Sequence, residues 1–327
     1  MSGYKFWPIS DPKSEVACHQ AFVQGRNMTG RIYIAEEGIN AQFSGAEKDA
    51  EDYMSWLNER LEGIDFKIQE HPENAFPRMT IKVRKQLVAL DLEIDTKRGG
   101  EHVSSKEWRE MLESGEYLVV DVRNDYEWDI GHFRGSERPT CRTFREFPDY
   151  ARQLKKRHDP SKTKIMMCCT GGIRCELYST LMKEEGFAEV YQLNGGILRY
   201  AEEENGKHWD GKLFVFDDRL AVDVNPEAEV VGRCRHCNTP AEHYYNCANM
   251  DCNRLHIACE TCLEKMAGCC EAACQSAERL RPLSHQDQTK PFRRWHHYFK
   301  NKSISVKDEG SFRKSFSALT TCLNRPD

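Results

Sequence analysis

The spacing of apolar and polar positions changes near residues 95 and 234, which divides the chain into three parts. In the first part, apolar residues recur every three or four positions over residues 46–62, which predicts a helix that ends at Gly63. Apolar or alternating segments predict strands over residues 31–35, 41–43, 64–68 and 81–84, with a turn over residues 36–40. Strands with helices on one face indicate an α+β domain, a ferredoxin-like sandwich, over residues 1–95.

The second part begins after a polar stretch with two glycines, residues 95–100, which we interpret as a linker. Ser104 and Glu107 have the spacing of a capping box, so a helix is expected from Ser104 to Met111. Strands are expected over residues 117–122, 164–168 and 189–193, and a helix from about Cys175 to Glu185, ended by Gly186. This alternation predicts a parallel α/β domain over residues 100–210, with its active site beyond the carboxyl ends of the strands.

Composition and charge narrow the class of protein. Of the 327 residues, 39% are hydrophobic and 30% are charged, which is typical of a soluble globular protein. No apolar run approaches the ~20 residues that a membrane helix needs, and no secretory signal is recognisable, so we expect a cytoplasmic protein without a membrane partner.

Residues 276–327 carry 11 Lys and Arg against 5 Asp and Glu, and residues 293–299 interleave cations with aromatic rings. The basic tail, residues 281–327, is therefore either a nucleic-acid contact or a solubilising surface.

The strongest chemical signal is the hexapeptide CTGGIR between the second buried strand and its helix. It consists of Cys169, Thr170, Gly171, Gly172, Ile173 and Arg174. The two glycines allow positive φ and turn backbone N–H groups toward the sulfur, while the helix N-terminus and Arg174 add positive charge. Cys169 should therefore have a lowered pKa and be a nucleophile near neutral pH, in a cradle that would also hold a persulfide or an oxyanion. The alternative is that Cys169 is only a buried apolar residue at a strand end.

Two further cysteines flank this loop. Cys168 should point to the opposite face of the strand and belong to the core. Cys175 lies in the first turn of the following helix, where it either resolves a disulfide or persulfide at Cys169 or has a structural role.

The residues around the loop resemble the signature of rhodanese domains. Asp121-Val122-Arg123 follows a buried strand, Glu127 comes next, and GHFRG (131–135) and LNGGI (193–197) complete the pattern. The resemblance implies that Cys169 forms a cysteine persulfide and that Arg174 closes an anion-binding loop. It also implies that Asp121 and Arg123 support the loop from beneath.

Nearly the whole chain is similar to one family with a rhodanese domain, the bacterial tRNA uridine(34) hydroxylases. The similarity is carried by GRIYIAEEGIN (30–40), TGGIRCE (170–176) and FVFDDR (214–219). It implies an acylphosphatase-like N-domain, a central rhodanese domain and a Cys-rich C-terminal region. It further implies oxygen-dependent hydroxylation of C5 of the wobble uridine, with the anticodon arm of tRNA as partner. Residues 136–142 depart from the family, because they read SERPTCR where a small apolar stretch and Ile-Pro are expected.

Nine cysteines crowd into residues 211–280, and their spacing is that of structural zinc sites. They are Cys234, Cys237, Cys247, Cys252, Cys259, Cys262, Cys269, Cys270 and Cys274, with His236, His243 and His256 as further candidate ligands. We expect one or two structural zinc ions, which would stabilise a region with little core of its own. Free thiols and an iron–sulfur cluster are the alternatives, and spacing does not assign a cysteine to a particular ion.

Three functions of different classes are compatible with these features: a tRNA hydroxylase, a sulfurtransferase that passes sulfane sulfur to cyanide or a protein thiol, and a zinc-stabilised interaction protein. The two flanking domains favour the first over the second, and the intact Cys169 argues against the third. Basic residues of the first part are either RNA contacts or a solvated sheet face; they are Lys67, Arg78, Lys82, Arg84 and Lys85. No glycine-rich sequence has the spacing of a nucleotide-binding motif, so no nucleotide cofactor is expected.

Overall fold

The computed structural model describes residues 1–281, in two compact units, Met1–Ala89 and residues 90–281. The predicted basic tail lies outside the described residues, apart from Arg281 at its start. Among the described helices, none combines the length and the apolar composition that crossing a membrane requires.

The first unit is a four-stranded sheet with two helices on one face. In chain order its elements are β1 (Ser2–Phe6), α1 (Pro12–Val23), β2 (Met28–Ala35), β3 (Gly38–Gly45), α2 (Glu47–Arg60) and β4 (Met79–Val83). The sheet has the order β1-β3-β2-β4, in which β2 and β4 are parallel and the other neighbours are antiparallel. Alternate strand residues such as Ile32, Ile34 and Phe43 are fully buried in one core with Tyr53 and Leu57 of α2. The predicted ferredoxin-like α+β sandwich is confirmed.

Three details of this unit differ from the prediction. The prediction does not include β1 or α1, because β1 has few apolar residues and those of α1 follow no clear helical period. The turn of the hairpin is shorter than predicted, so that β3 already begins at Gly38. The strand over residues 64–68 is wrong: the segment joins β1 by a single antiparallel bridge, in which Ser2 and Lys67 exchange N–H···O bonds of 2.9 and 2.8 Å. Alternation alone does not make a strand where the partner offers so short an edge.

The second unit is built on a parallel sheet with helices packed in two pairs. Its first elements are β5 (Glu101–Val103), α3 (Ser105–Ser114), β6 (Leu118–Asp121), α4 (Asp125–Asp129), β7 (Gly131–Phe133), α5 (Phe147–Arg157), β8 (Ile165–Cys168), α6 (Ile173–Glu184), β9 (Val190–Leu193) and α7 (Gly196–Glu204). The sheet has the order β5-β9-β8-β6 and is parallel throughout. Helix α3 packs with α7, and α5 with α6. The predicted parallel α/β domain is confirmed, and Cys168 lies in the core that includes Trp108 and Tyr200, as expected.

The start of this unit is fixed by local hydrogen bonds. The N–H of Glu107 donates to Oγ of Ser104 at 3.3 Å, and the N–H of Ser104 donates to the Glu107 carboxylate at 2.8 Å, so the predicted capping box is present. The stretch interpreted as a linker contains a short 3₁₀ turn, Thr96–Arg98, and the N–H of Gly100 donates to Oγ of Ser179 on α6 at 2.8 Å. Residues 95–100 are thus packed within the second unit.

The remainder of the second unit consists of small sheets and one short helix. The strands β10 (Trp209–Phe214) and β11 (Ala221–Asp223) join β7 in an antiparallel sheet of order β11-β10-β7. The strands β12 (Tyr244–Asn246) and β13 (Leu255–Ile257) form a hairpin, which α8 (Glu260–Lys265) follows. Most cysteines of the Cys-rich region lie in the segments that connect and follow these elements, and Cys262 lies within α8.

Candidate functional site

The loop of Cys169 lies at the carboxyl end of β8, a central strand of the parallel sheet, as predicted. The chain leaves β8 at Cys168 and enters α6 at Ile173. Gly172 has a φ of 100°, and its N–H donates to Sγ of Cys169 at 3.1 Å. The expectation of positive φ at both glycines is wrong for Gly171, where instead the space that a Cβ would occupy is open to 4 Å. One glycine therefore turns the backbone toward the sulfur, and the other leaves open space at its own position.

The thiol of Cys169 is fully buried, and burial alone would raise its pKa. Hydrogen bonding from the Cys175 thiol, the charge of Arg174 and the backbone N–H groups of those two residues outweigh burial and lower the pKa to about 6. For Cys168 and Cys175 burial prevails and raises the pKa well above its ordinary value. At neutral pH the loop therefore contains one thiolate, Cys169, beside a Cys175 thiol that donates a hydrogen bond to it.

The guanidinium of Arg174 is buried and engaged within the protein. Its Nη1 and Nη2 donate to the two carboxylate oxygens of Glu127 at 2.6 and 2.9 Å, and Nη2 also donates to Oγ1 of Thr170 at 3.2 Å. The rings of Phe144 and Phe216 lie against it, with centroids 5.0 and 5.7 Å from Cζ. Arg174 thus acts on the thiolate through its charge rather than as an open receptor for anions. Sequence reasoning gave no role to Glu127 or to either ring, because their partner lies far along the chain.

Asp121 and Arg123 form a second ion pair, fully buried at the end of β6. Arg123 donates from Nε and Nη2 to the Asp121 carboxylate at 2.9 and 2.6 Å. It also donates to the backbone carbonyls of Glu127 and Gly131 at 3.0 and 2.7 Å, and it lies 5.1 Å from the Trp209 ring. The pair joins β6, α4 and β7, and so positions Glu127 beside Arg174.

The start of α7 closes the loop from the other side. The N–H groups of Ile197 and Leu198 donate to the carbonyls of Cys169 and Thr170, both at 3.0 Å. Gly196, with a φ of 69°, packs so closely that a Cβ there would lie 2.6 Å from the carbonyl oxygen of Cys169. Gly196, the second glycine of the LNGGI motif, is therefore required by its contact with the loop of Cys169.

Residues 136–142, which depart from the family pattern, are held by charged side chains. The N–H of Glu137 donates to a carbonyl of β6 at 2.8 Å, and its carboxylate accepts from the Tyr150 hydroxyl at 2.8 Å. Arg138 pairs with Asp129 of α4 at 2.7 Å. These contacts fix the segment next to α4.

The Cys-rich region brings eight of the nine predicted thiols into two groups of four. The first thiol group is Cys234, Cys237, Cys259 and Cys262; the second thiol group is Cys247, Cys252, Cys270 and Cys274. Within each group the four Sγ atoms lie within 4.8 Å of one another, and one pair in each is 3.6 Å apart. A tetrahedron with Zn–S bonds of about 2.3 Å has edges of about 3.8 Å, whereas a disulfide bond measures about 2.05 Å. Each group could therefore hold a metal ion.

The remaining candidate ligands lie outside both thiol groups. These are Cys269, His236, His243 and His256. Along the chain the ligand pairs alternate, with a pair of the first group, a pair of the second, then again the first and the second. Because each group combines pairs that are not neighbours in sequence, spacing alone cannot assign them.

Comparison with known families divides the chain in a similar way. The family model "UPF0176 acylphosphatase like domain" matches residues 1–87, "Rhodanese-like domain" matches residues 104–203 and "Rhodanase C-terminal" matches residues 210–275. The matches cover nearly all of the first unit, the loop of Cys169 and both thiol groups.

Curated relatives are similar over about nine-tenths of the chain. A protein of Protochlamydia amoebophila is 56% identical over 306 residues, which is 92% of this chain and 96% of the relative. Proteins of Chlamydia trachomatis and Chlamydia abortus are 52% and 51% identical, each over 90% of this chain and 91% of the relative. All three bear the name tRNA uridine(34) hydroxylase.

Proposed function

The chain belongs to the tRNA uridine(34) hydroxylase family, and on that basis we propose that it converts the wobble uridine to 5-hydroxyuridine with molecular oxygen as co-substrate. It is an oxidoreductase whose substrate is tRNA. We assign Cys169 a direct part in the reaction. The observation that supports this role is a buried thiolate, with a pKa of about 6, at the carboxyl end of a central parallel strand.

The loop suits a sulfur nucleophile that stays deprotonated. The N–H of Gly172 and the Cys175 thiol donate to Sγ of Cys169, and Arg174 supplies a nearby positive charge. The same donors would stabilise the terminal sulfur of a persulfide on Cys169, because that group is also an anion. The open space at Gly171 marks the side from which a reactant reaches the loop.

The substrate base must leave its stack to reach this loop. RNA-binding proteins recognise bases in single-stranded loops, where bases are splayed out and accessible. We therefore propose the anticodon arm of tRNA as the binding partner and the cytoplasm as the place of reaction. The half-buried rings of Phe144 and Phe216 beside Arg174 offer apolar surface for a flat base.

Each thiol group is proposed to hold one structural zinc ion. Four cysteine sulfurs at tetrahedral spacing are a donor set that zinc prefers. When bound, zinc would cross-link the β12–β13 hairpin and the chain around α8, where hydrophobic packing is sparse. We assign these ions to stability and not to the reaction.

The function is tested by nucleoside mass spectrometry of total tRNA from cells that lack this gene. The cells are supplied with the wild-type chain, with Cys169→Ala or with Cys141→Ala, a matched change at a buried cysteine elsewhere in the unit. We expect 5-hydroxyuridine-type nucleosides to return with the wild type and Cys141→Ala but not with Cys169→Ala, at equal protein levels. Full modification by Cys169→Ala would refute the role of this thiol. If no chain restores the nucleosides, the hydroxylase proposal fails, and sulfur transfer from thiosulfate is the activity to assay.

A further inference from the structure

The sheet of the first unit has one face toward α1 and α2 and one face turned away from them. Strand side chains alternate between the two faces, and the buried set, such as Ile32 and Ile81, packs in the core with the helices. On the other face, Tyr4, Asn40, Tyr33 and Lys82 lie directly opposite one another across β1, β3, β2 and β4. We call these four residues the sheet-face row. It places two tyrosines two strands apart, at about 10 Å.

Positive charge accompanies this row. The guanidinium of Arg84 lies 4.5 Å from the ring centroid of Tyr33, and both Arg84 and Lys82 are exposed. Arg31 lies on the same face, opposite Gln42 in the adjacent register position. Among the positions of the four described strands that share this face, none is Asp or Glu. The strand positions of this face therefore carry cations and aromatic rings but no carboxylate. Beside the strands, Lys67 lies 5.3 Å from the Tyr4 ring centroid and is paired with Asp65, so the uncompensated charge is at the Tyr33, Lys82 and Arg84 end of the row.

Lys67, one of the basic residues predicted from the sequence as possible RNA contacts, is not available for such a contact. It is only 5% exposed, and its Nζ pairs with the carboxylate of Asp65 at 3.2 Å. Its burial follows from the bridge that joins its backbone to Ser2. Of the other basic residues named from the sequence, Arg78, Lys82, Arg84 and Lys85 are exposed.

We infer that this face binds single-stranded RNA, with bases stacked on the Tyr33–Arg84 pair and phosphates held by Lys82 and Arg84. Bases stack on aromatic rings and on guanidinium planes, and a sheet with its helices on the opposite side presents such groups side by side. The charge identifies the occupant as a polyanion. A second copy of the chain would bring the same cations against this face, which disfavours self-association through it. The inference rests on the proposed function, in which tRNA is the substrate. It assigns this face as the surface that binds the single-stranded loop of the tRNA.

Binding is tested with the full-length protein and a fluorescently labelled hairpin RNA whose single-stranded loop contains uridine. A duplex RNA of the same length without a loop is the comparison ligand. The variants are Tyr33→Leu, Tyr33→Phe and Lys82→Ala, and the matched control is Lys48→Ala, an exposed lysine on α2. We expect the wild type, Tyr33→Phe and Lys48→Ala to bind the hairpin alike, and Tyr33→Leu to bind it about 10-fold more weakly. Lys82→Ala should lower the salt dependence of binding by about one phosphate contact.

Three outcomes would overturn the inference. Equal binding of the hairpin by Tyr33→Leu, Lys82→Ala and the wild type would overturn the inference, as would equal binding of hairpin and duplex by the wild type. A change in oligomeric state of the variants, measured by light scattering, without a change in RNA affinity would assign the face to a second copy and overturn it too. Because binding is measured without turnover, loss of RNA binding in the variants supports this surface even if the nucleoside assay refutes hydroxylation.

Discussion

Replacing Gly196 with alanine should disturb the loop of Cys169 from outside it. The added Cβ would lie 2.6 Å from the carbonyl oxygen of Cys169 and 2.7 Å from the nitrogen of Gly172, both of them backbone atoms. Neither can rotate away, so the loop must shift. The chain offers a matched control in Gly115, which has the same φ of 69° at the end of α3 but has no neighbour within 4 Å of the Cβ position.

The two substitutions share one cost and differ in another. An alanine at positive φ costs about 1 kcal/mol of folding stability, so Gly115→Ala should lose about that much. Gly196→Ala should lose about 1–3 kcal/mol more, because overpacking forces the backbone to move. Displacement of the Gly172 N–H also weakens a hydrogen bond to the Cys169 sulfur, and the pKa of this thiol should rise from about 6 toward its ordinary value.

The assay is the rate of iodoacetamide alkylation at Cys169, followed by peptide mass spectrometry between about pH 5 and 9. A thiol with a pKa of about 6 is about 90% thiolate at pH 7, whereas one at about 8.5 is about 3% thiolate. The rate at pH 7 should therefore fall by up to about 30-fold in Gly196→Ala and stay unchanged in Gly115→Ala. Equal pH profiles and equal stability in the two variants would refute the argument that α7 holds the loop in place.

Two further predictions concern the thiols. The pKa of Cys169 is about 6 in the folded chain and about 8.5 in the unfolded chain. The folded state therefore gains stability from the thiolate as the pH rises, and the unfolding free energy of the wild type relative to Cys169→Ser should grow by about 3 kcal/mol from pH 6 to pH 8.5. The difference should shrink as the pH falls through 6. Urea denaturation at several pH values measures this difference, and a value independent of pH would contradict a native thiolate. Cys234→Ser should carry less zinc per chain than the wild type, whereas Cys269→Ser, outside both thiol groups, should carry as much zinc as the wild type. Elemental analysis of the purified proteins measures the zinc content. An equal loss of zinc in both variants would contradict the grouping.

Sequence reasoning succeeded where the determinant is local. The capping box of Ser104 and Glu107 spans three residues, and the strand–loop–helix around Cys169 is set by one apolar run and a pair of glycines. These features depend on neighbouring residues, so their pattern can be read from the chain. The parallel sheet followed from the same kind of signal, because buried strands and amphipathic helices alternate over a long stretch.

Sequence reasoning failed where a residue's contact partner is distant in sequence. The carboxylate of Glu127 compensates Arg174, 47 positions along the chain, and no periodicity relates the two. The alternating segment 64–68 needs a paired edge that β1 provides at one residue only. Lys67 therefore became buried beside Asp65, although its sequence surroundings resemble those of the exposed Lys82.

The alternating order of the thiol groups makes the Cys-rich region topologically indivisible. The segment between Cys234 and Cys262 encloses Cys247 and Cys252, and the segment between Cys247 and Cys274 encloses Cys259 and Cys262. An ion in either group thereby closes a loop that contains ligands of the other and shortens the chain still to be ordered. No contiguous fragment can keep one complete group without also carrying half of the other, so neither half of the region is a transplantable module.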